Sequence, residues 1–291
     1  MLAKKGQVDV NQGNNIGTTP LHIAAGKDNI KDGVEIVSLL IKEGHADVNR
    51  SRDDGVTPII VAAAKNHPEV VALLIKEGHA DVNLLNNKGS SPLHIAAERG
   101  YKRVVVMLIT EGHADVNMAG KGGRTPINFA AERGHKKVVA LLAKEFGADA
   151  NQAGSGGGTP LIMAAQRGLS EVVELLVKEA GADANQCLDD GQSPLFAACE
   201  GGYADIAAFL IGAGANVNLR VVDPSPIDPS CSGMTALGVA KRNGHDDVVA
   251  VLVEVDIDDA GVYDGSAHLV GAAGNDGNER IRVGGGGRAL E

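Results

Sequence analysis

Histidine is the residue type in this chain best suited to proton transfer or metal binding, and its positions are regular. His22 and His94 each end a Thr/Ser-Pro-Leu-His segment, while His45, His79 and His113 each precede Ala-Asp. A catalytic or zinc site gathers a few side chains at one point, whereas residues repeated one sequence unit apart are spread along the chain. We therefore expect structural hydrogen bonds, in which a ring nitrogen ties one segment of backbone to the next. The other histidines are His67, His135 and His245, which begin predicted helices, and His268, which stands apart.

Other residues that often carry chemistry give no site. The glycine-rich stretches GKGGRT (120–125) and GSGGGT (154–159) lack the Gly-Lys-Ser/Thr ending of a phosphate-binding loop. The cysteines Cys187, Cys199 and Cys231 are far apart and form no Cys-x-x-Cys pair, so we expect free thiols. The sequence predicts no catalytic residue, no metal and no cofactor, and hence a protein that is not an enzyme.

Composition restricts the classes of partner and compartment. Hydrophobic residues are 44% of the chain but aromatic residues only 2%, so the core must be built from Ala, Val, Leu and Ile. The formal net charge of −10 argues against a nucleic-acid partner, because binding to phosphates needs a clustered positive face. No stretch has the form of a signal peptide or the roughly 20 apolar residues of a membrane helix. We expect a cytoplasmic protein without membrane insertion.

One octapeptide recurs at a fixed interval. KEGHADVN occupies 42–49 and 76–83, and TEGHADVN occupies 110–117, each 34 residues after the last. A Thr-Pro or Ser-Pro pair recurs as well, beginning at residues 19, 57, 91, 125, 159 and 193, with a weaker Thr-Ala at 235. Similar segments at a constant spacing of this length indicate a repeat architecture.

Each unit carries the signals for two short helices and a turn, which we name helix A, helix B and the finger. In SPLHIAAERG (91–100), Ser91 can cap a helix whose first residue is proline, and Gly100 can end it. In YKRVVVMLITEG (101–112), the apolar residues have the spacing of an amphipathic helix. HADVNLLNNKG (79–89) is rich in Asn, Asp and Gly, which predicts an extended segment and a tight turn.

This pattern resembles the ankyrin repeat. The resemblance covers roughly residues 1–255 and is carried by TPLHIAA (19–25), SPLHIAAERG (91–100), VVALLIKEG (70–78) and GANVN (214–218). It implies an all-α fold, an ankyrin-repeat solenoid of stacked helix-turn-helix units with projecting β-turn fingers. The octapeptide is then the end of helix B plus the strand that enters the next finger.

The resemblance also implies the domain limits. We expect a solenoid over 1–255 and, over 256–291, a degenerate cap and a flexible glycine-rich tail. Within the solenoid the expected parts are a partial repeat 1–16, repeats near 17–49, 50–83, 84–117, 118–151, 152–185 and 186–218, a long finger 219–232, and a degenerate repeat 233–255.

Departures from the family unit of about 33 residues predict local changes. Most units hold one more residue, which we place at His45, His79, His113, Phe146 or near Ala180. Four extra residues in 26–37 are expected to lengthen the link between the first two helices. The finger 219–233 is longer and holds three prolines, which should stiffen it; it is either a specialised face or a plain spacer.

In ankyrin-like proteins the concave face is made by the finger tips and the outward side of helix A, here called the groove surface. On it, Arg99, Arg133 and Arg167 recur at 34-residue spacing, so they predict a basic ladder that receives an acidic segment of a partner. The alternative is that Glu98 and Glu132 pair with the arginines of the next repeat. The acidic finger 186–192 would orient the ligand. The predicted partner-binding residues are Lys88, Arg99, Lys121, Arg124, Arg133, Arg167, Asp189, Asp190 and Gln192.

These features favour a non-enzymatic scaffold that binds a protein or peptide partner and is itself a monomer. A second reading makes the chain the targeting or regulatory module of a larger enzyme, channel or effector. A third makes it a substrate: Asn residues in such turns resemble targets of an asparaginyl hydroxylase, and Asn218, with Leu210 eight positions upstream, fits best.

Overall fold

The computed structural model describes residues 9–222 and 231–253, and the backbone of 268–269 and 283–284. The chain divides into two compact units, Met1–Ser155 (unit 1) and Gly156–Glu291 (unit 2). The start of the expected partial repeat, the prolines of the long finger and most of the expected cap and tail lie outside the described residues.

Unit 1 is built from pairs of short helices joined by turns. Its helices alternate between helix A and helix B, and a 3₁₀ turn lies in one finger at Lys121–Gly123. The helices are α1 (Pro20–Ala25), α2 (Ile30–Lys42), α3 (Pro58–Ala64), α4 (Pro68–Lys76), α5 (Pro92–Glu98), α6 (Lys102–Thr110), α7 (Pro126–Glu132) and α8 (Lys136–Ala140), the last continued by a π turn at Leu141–Glu145.

Unit 2 repeats the same pairing. It follows a 3₁₀ turn that begins at the last residue of unit 1 (Ser155–Gly157). Its helices are α9 (Pro160–Gln166), α10 (Ser170–Ala180), α11 (Pro194–Glu200), α12 (Ala204–Gly212), α13 (Ala236–Asn243) and α14 (Asp246–Val253). A short antiparallel pair, β1 (His268–Leu269) and β2 (Val283–Gly284), follows. The predicted helix pairs therefore form, including the degenerate one after the long finger.

Each helix A follows the N-cap that the sequence predicts. The cap is Thr or Ser with an extended backbone, and the first helical residue is Pro everywhere except α13. The hydroxyls of Ser91, Thr159 and Ser193 accept a hydrogen bond from the amide three residues on. The hydroxyl of Thr57 instead lies buried without a hydrogen-bond partner among the described residues.

Small apolar side chains let these helices pack closely. In unit 1, α3 packs against α1 and α5, and α4 packs against α2 and α6. Ala62 and Ala63 of α3 are fully buried, as are Val70, Val71 and Leu74 of α4. Burial of one Val or Leu side chain stabilises the fold by about 1.5–3 kcal/mol. Each helical pair is therefore held mainly by the pairs on either side of it.

The four extra residues of the first repeat lengthen helix α2, and the prediction that they lengthen the link was wrong. Helix α2 has 13 residues, whereas the equivalent α4 has 9. Asn29 caps the longer helix by accepting a hydrogen bond from the amide of Asp32. The sequence that follows this cap has no proline, so nothing prevents an additional helical turn.

The extra residue of the 34-residue units widens the last turn of helix B. The amide of Ala80 bonds to the carbonyl of Leu74 at 3.0 Å, while in the shorter sixth repeat Ala215 bonds to Leu210 at 2.9 Å, one residue closer in sequence. In α8 the wide turn is a complete π turn. The segment that leads from it into the finger is a turn and not the expected strand.

The backbone φ angles show which residue of the 34-residue units is the extra one, and it is not the histidine predicted from the sequence. His45, His79 and His113 have left-handed φ angles of 51°, 53° and 55°, and Gly147 and Gly181 are left-handed at the same position before Ala. The histidines are thus equivalent to Gly147, and not to Phe146 as predicted. The extra residue lies before them, inside the widened helical turn.

Candidate partner-binding surface

Histidines at the start of helix A connect one repeat to the next finger. The Nδ1 atom of His22 accepts a hydrogen bond from the amide of Thr19 (3.3 Å), so the proton resides on Nε2, which donates to the carbonyl of Val56 (2.9 Å). His94 repeats the arrangement, with Nε2 3.1 Å from the carbonyl of Arg124. Burial lowers the pKa of both imidazoles because a charged ring loses its hydration there. Both rings are therefore neutral structural groups at neutral pH.

Histidines at the start of helix B make the reverse connection. A ring nitrogen of His67 lies 3.0 Å from the carbonyl of Ala25, the last residue of helix A in the preceding repeat. His135 and His245 bond in the same way to the carbonyls of Glu98 (2.8 Å) and Glu200 (3.0 Å). The prediction of structural hydrogen bonds is confirmed for these residues.

The asparagine of each Asp-Val-Asn turn also joins neighbouring fingers. Oδ1 of Asn49 accepts from the amide of Asp81 (2.8 Å), and Oδ1 of Asn83 accepts from the amide of Asp115 (3.0 Å). In the same turn, the carboxylate of Asp81 accepts from the amide of Asn83 (2.9 Å). The Asp and Asn of the octapeptide recur because each Asn side chain bonds the amide of the Asp one repeat later.

The cysteines are free thiols. Burial raises the pKa of the Cys199 thiol to about 12. Burial, together with the carboxylates of Asp183 and Asp190, raises the pKa of Cys187. Neither thiol is poised to ionise at neutral pH, which is the state a nucleophile requires.

Within the described part of the chain, no group of three or more His, Cys, Asp or Glu side chains has the arrangement of a metal site. No helix in that part combines the length and the apolar character needed to cross a bilayer.

The predicted basic ladder is partly neutralised within unit 1. Nη2 of Arg133 lies 2.7 Å from Oε1 of Glu98 in the preceding repeat, and this carboxylate raises the pKa of the guanidinium. The alternative pairing of Glu98 with Arg133 is thus confirmed. Nη1 of Arg99 donates to the carbonyl of Ala64 at 2.8 Å, and the Arg99 side chain is otherwise exposed.

Arg124, predicted from the sequence to contact a partner, packs against other side chains of its own repeat. Its guanidinium lies 4.1 Å from the centre of the Phe129 ring and pairs with the carboxylate of Glu132. The centre of the Phe129 ring lies 5.8 Å from that of the His94 ring, and the two planes are nearly perpendicular. Arg124 therefore closes the space between its finger and helix α7.

Two of the predicted contact residues are lysines whose side chains form no ion pair with the described residues. Lys88 and Lys121 are exposed on finger tips, and neither ammonium group has an ion-pair partner among the residues that the structure describes. The amide of Lys121 bonds to the carbonyl of Gly89 (3.1 Å), which fixes the two tips against each other. Among the predicted contacts of unit 1, Lys88 and Lys121 are therefore the exposed cations whose ammonium groups have no ion pair in the described part of the chain.

Between two fingers of unit 1 lies an open pocket of about 480 Å³. The fingers contribute residues 52–56 and 86–88, and helices α3 and α5 contribute the floor. The pocket is lined by Arg52, Asp54, Val56, Ile60, Val61, Ala64, Lys65, Asn86, Asn87, Lys88 and Ile95. An apolar floor with a few charged groups at its edge is the usual form of a ligand site.

The remaining predicted contacts lie in unit 2. Arg167 is exposed just after helix α9. Oδ2 of Asp190 accepts from the side-chain amide of Gln192 at 3.0 Å, so these two residues stabilise their own turn. Asp189 is exposed at the same tip, and its amide bonds to the carbonyl of Gly156 (3.0 Å).

The sequence and the fold of this chain are both similar to those of known proteins. A family model described as ankyrin repeats in three copies matches the chain in overlapping segments: 1–85, 30–119, 63–154, 113–186 and 161–264. The chain belongs to the ankyrin repeat family. Among curated proteins, no match was found.

A solved structure similar to this ankyrin repeat protein is the ankyrin repeat domain of Bcl-3, described as a unique member of the IκB protein family. The two chains share 27% sequence identity with a TM-score of 0.67. The match covers 81% of this chain and 99% of the other. The fold predicted from the repeat pattern, an all-α ankyrin-repeat solenoid, is confirmed.

Asn218 occupies the Asn-Val-Asn turn (216–218) that follows helix α12 of this ankyrin repeat protein. Its amide donates to Oδ1 of Asn216 at 2.9 Å, and the residue is half-buried. Hydroxylation of this asparagine remains a prediction. Intact-mass measurement of protein from the native cell would detect it as a gain of one oxygen atom, lost in Asn218→Ala.

The pocket of unit 1 includes a feature that residue-by-residue reasoning missed. Charged and polar positions were singled out from the sequence, but the pocket floor is formed by Ile60, Val61 and Ile95. In the sequence these residues look like ordinary helix A core positions. Their common place in the repeat, two or three residues after the Thr/Ser-Pro pair, is the signal that identifies a shared face.

Proposed function

We propose that this protein is a non-enzymatic cytoplasmic binding module, and that a monomer holds a protein or peptide partner on the groove surface. One observation carries the proposal: unit 1 has an open pocket between two fingers, with an apolar floor and basic residues at its edge. Family membership supports it because stacked repeats offer an extended binding surface. The asparagines of the Asp-Val-Asn turns support it too, since their side chains accept hydrogen bonds from the next turn and leave recognition to the variable positions.

The proposed contacts in unit 1 are Lys88, Arg99 and Lys121, with Arg124 and Arg133 contributing less because carboxylates already neutralise them. An acidic segment of the partner fits these cations, since a guanidinium or ammonium group binds a carboxylate through charge-assisted hydrogen bonds. Arg167, Asp189, Asp190 and Gln192 are proposed contacts in unit 2.

The test compares two double variants with the same change in net charge. Arg99→Glu with Lys121→Glu reverses charge on the groove surface, and Lys102→Glu with Lys137→Glu reverses it on helices B. Proteins captured from the native cell by the wild type and by the helix B variant, but not by the groove variant, are candidate partners. Each is then purified and titrated against all three proteins by calorimetry.

We expect the groove variant to weaken binding by at least about tenfold, with the helix B variant close to the wild type. Equal capture by all three proteins would show that the partner does not use this surface. Unchanged thermal unfolding of the variants would confirm that the difference is one of binding.

A further inference from the structure

The pocket of unit 1 has features that specify its ligand, and this inference rests on the proposed function. We infer that the pocket binds an extended peptide segment of the partner in which an apolar side chain stands beside an aspartate or glutamate. The apolar side chain fills the floor, and the carboxylate meets Lys88 at the edge.

The pocket is open because of two particular residues. The Thr/Ser-Pro register makes Val56 equivalent to Arg124, and Val61 equivalent to Phe129. In the later repeat, the guanidinium of Arg124 covers the Phe129 ring at 4.1 Å and occupies this space. In the earlier repeat, two short aliphatic side chains leave it empty. The space that Arg124 and Phe129 fill in their own repeat is thus open between the fingers 52–56 and 86–88.

The walls of the pocket are held in place before any ligand arrives. The amide of Asn87 donates to the carbonyl of Asp54 (2.9 Å), and its side chain donates to the carbonyl of Asp53 (2.8 Å), so the two fingers are linked. Oδ1 of Asn86 accepts from the amides of Lys88 (2.9 Å) and Ser90 (3.0 Å). A preformed site of this kind avoids the entropy loss of ordering loops on binding.

The charges at the edge of the pocket favour an acidic residue next to the apolar residue of the peptide. Three of the four charged lining residues are basic. Arg52 is paired with Asp54, and this pairing lowers the pKa of the carboxyl group. Lys65 lies 3.5 Å from the exposed carboxylate of Asp28, and such surface pairs are worth about 0–1 kcal/mol. Lys88 therefore remains as the open cation, on a protein whose net charge is −10.

A library of random peptides displayed on phage, selected against the full chain, tests this chemistry directly. The enriched peptides are expected to share an apolar residue with Asp or Glu within two positions of it. One of them, synthesised with a fluorescent label, then serves as the probe for anisotropy titrations of the variants. Enrichment of basic peptides would overturn the inference.

The variants are chosen to fill the pocket with a residue that the chain already uses. Val61→Phe and Ile95→Phe each place a ring where Phe129 stands in its own repeat, and we expect about a tenfold or greater loss of peptide affinity. Ile23→Phe is the matched control, because Ile23 has the same repeat position, is 66% exposed and does not line the pocket. Lys88→Glu should weaken binding about fivefold or more, and Lys102→Glu should not.

The outcomes separate this inference from the proposed function. Peptides that bind Val61→Phe and Ile95→Phe as well as the wild type, but lose affinity for the Arg99→Glu, Lys121→Glu variant, would refute the pocket and leave the groove surface standing. Binding that survives all of these substitutions would refute both.

Discussion

At the scale of single residues, the side chains with the greatest chemical potential are used as structural connectors. Nδ1 of His94 accepts a hydrogen bond from the amide of Ser91, and Nε2 donates one to the carbonyl of Arg124 in the next finger. The ring makes both bonds in its neutral form. Asn128 occupies the equivalent position one repeat later and accepts from the amide of Thr125 at 2.9 Å. The chain therefore contains its own replacement for this histidine.

Substitution of His94 by Asn should preserve the cap, lose the bond to the carbonyl of Arg124 and cost about 1 kcal/mol of unfolding free energy. It should also change the dependence on pH. Because the folded-state pKa of His94 lies below the unfolded value of about 6.5, the unfolded chain binds the proton first as the pH falls. The stability that the neutral ring contributes is thus complete above about pH 6.5 and is lost as the pH drops below it.

Urea denaturation of wild type and His94→Asn on both sides of this pH would show the effect as a smaller loss of stability in the variant. His113→Asn is the control: this histidine is exposed, and Asn tolerates its left-handed backbone. A pH profile identical in wild type and His94→Asn would contradict the interpretation.

At the scale of the element, helix starts that look alike in sequence differ in what the cap contributes. The hydroxyl of Thr159 accepts the amide of Ile162 at 3.2 Å, whereas the buried hydroxyl of Thr57 has no partner among the described residues. A buried polar group without a hydrogen bond lowers stability, while a bonded cap raises it by about 1 kcal/mol.

Valine has nearly the shape of threonine without its hydroxyl, so it isolates this difference. We expect Thr159→Val to lower the unfolding free energy by about 1 kcal/mol and Thr57→Val to leave it unchanged or raise it. Chemical denaturation of the two single variants measures both. Equal destabilisation would mean that the two caps are equivalent in solution.

The left-handed residue after helix B is a second feature at this scale. Gly181 has a φ of +68°, and a β-carbon there would meet no atom within 4 Å. Gly181→Ala therefore tests backbone strain alone and should cost about 1–2 kcal/mol.

Gly238→Ala provides a control of opposite sign. Gly238 lies inside helix α13, and a β-carbon there would make an ordinary contact 3.6 Å from Cβ of Met234. Alanine at this site should stabilise the protein by up to about 1 kcal/mol. Thermal unfolding of the two variants should therefore shift in opposite directions.

At the scale of the whole molecule, stability is distributed as a series of local interfaces. Helix α4 packs against α2, α3 and α6, and Leu74 is fully buried among them. Leu74→Ala should cost about 2–5 kcal/mol, the transfer and cavity terms together. Because a repeat contacts only its neighbours, amide exchange followed by mass spectrometry should accelerate most in α2, α4 and α6. Equal acceleration in α8 would indicate a single cooperative block.

The helices of this molecule could be predicted because their signals are local. The cap at Ser91 before Pro92 and the spacing of Val104, Val105 and Leu108 act within a few residues. The first-repeat insertion could not be placed in the same way. Whether residues 26–29 form a long link or 30–33 extend helix α2 depends on the balance between an Asn cap and the packing of that helix.

The repeat, its family and the order of its helices can be predicted from the sequence, because periodic caps, glycines and apolar residues encode the same local geometry each time. Tertiary structure alone decided which charged side chains are engaged and where the surface is open. Glu98 reaches Arg133 and Arg124 covers Phe129 across distances that the linear order does not specify. The pocket exists because two neighbouring fingers and two helices meet around short side chains, and that meeting is a property of the packed chain.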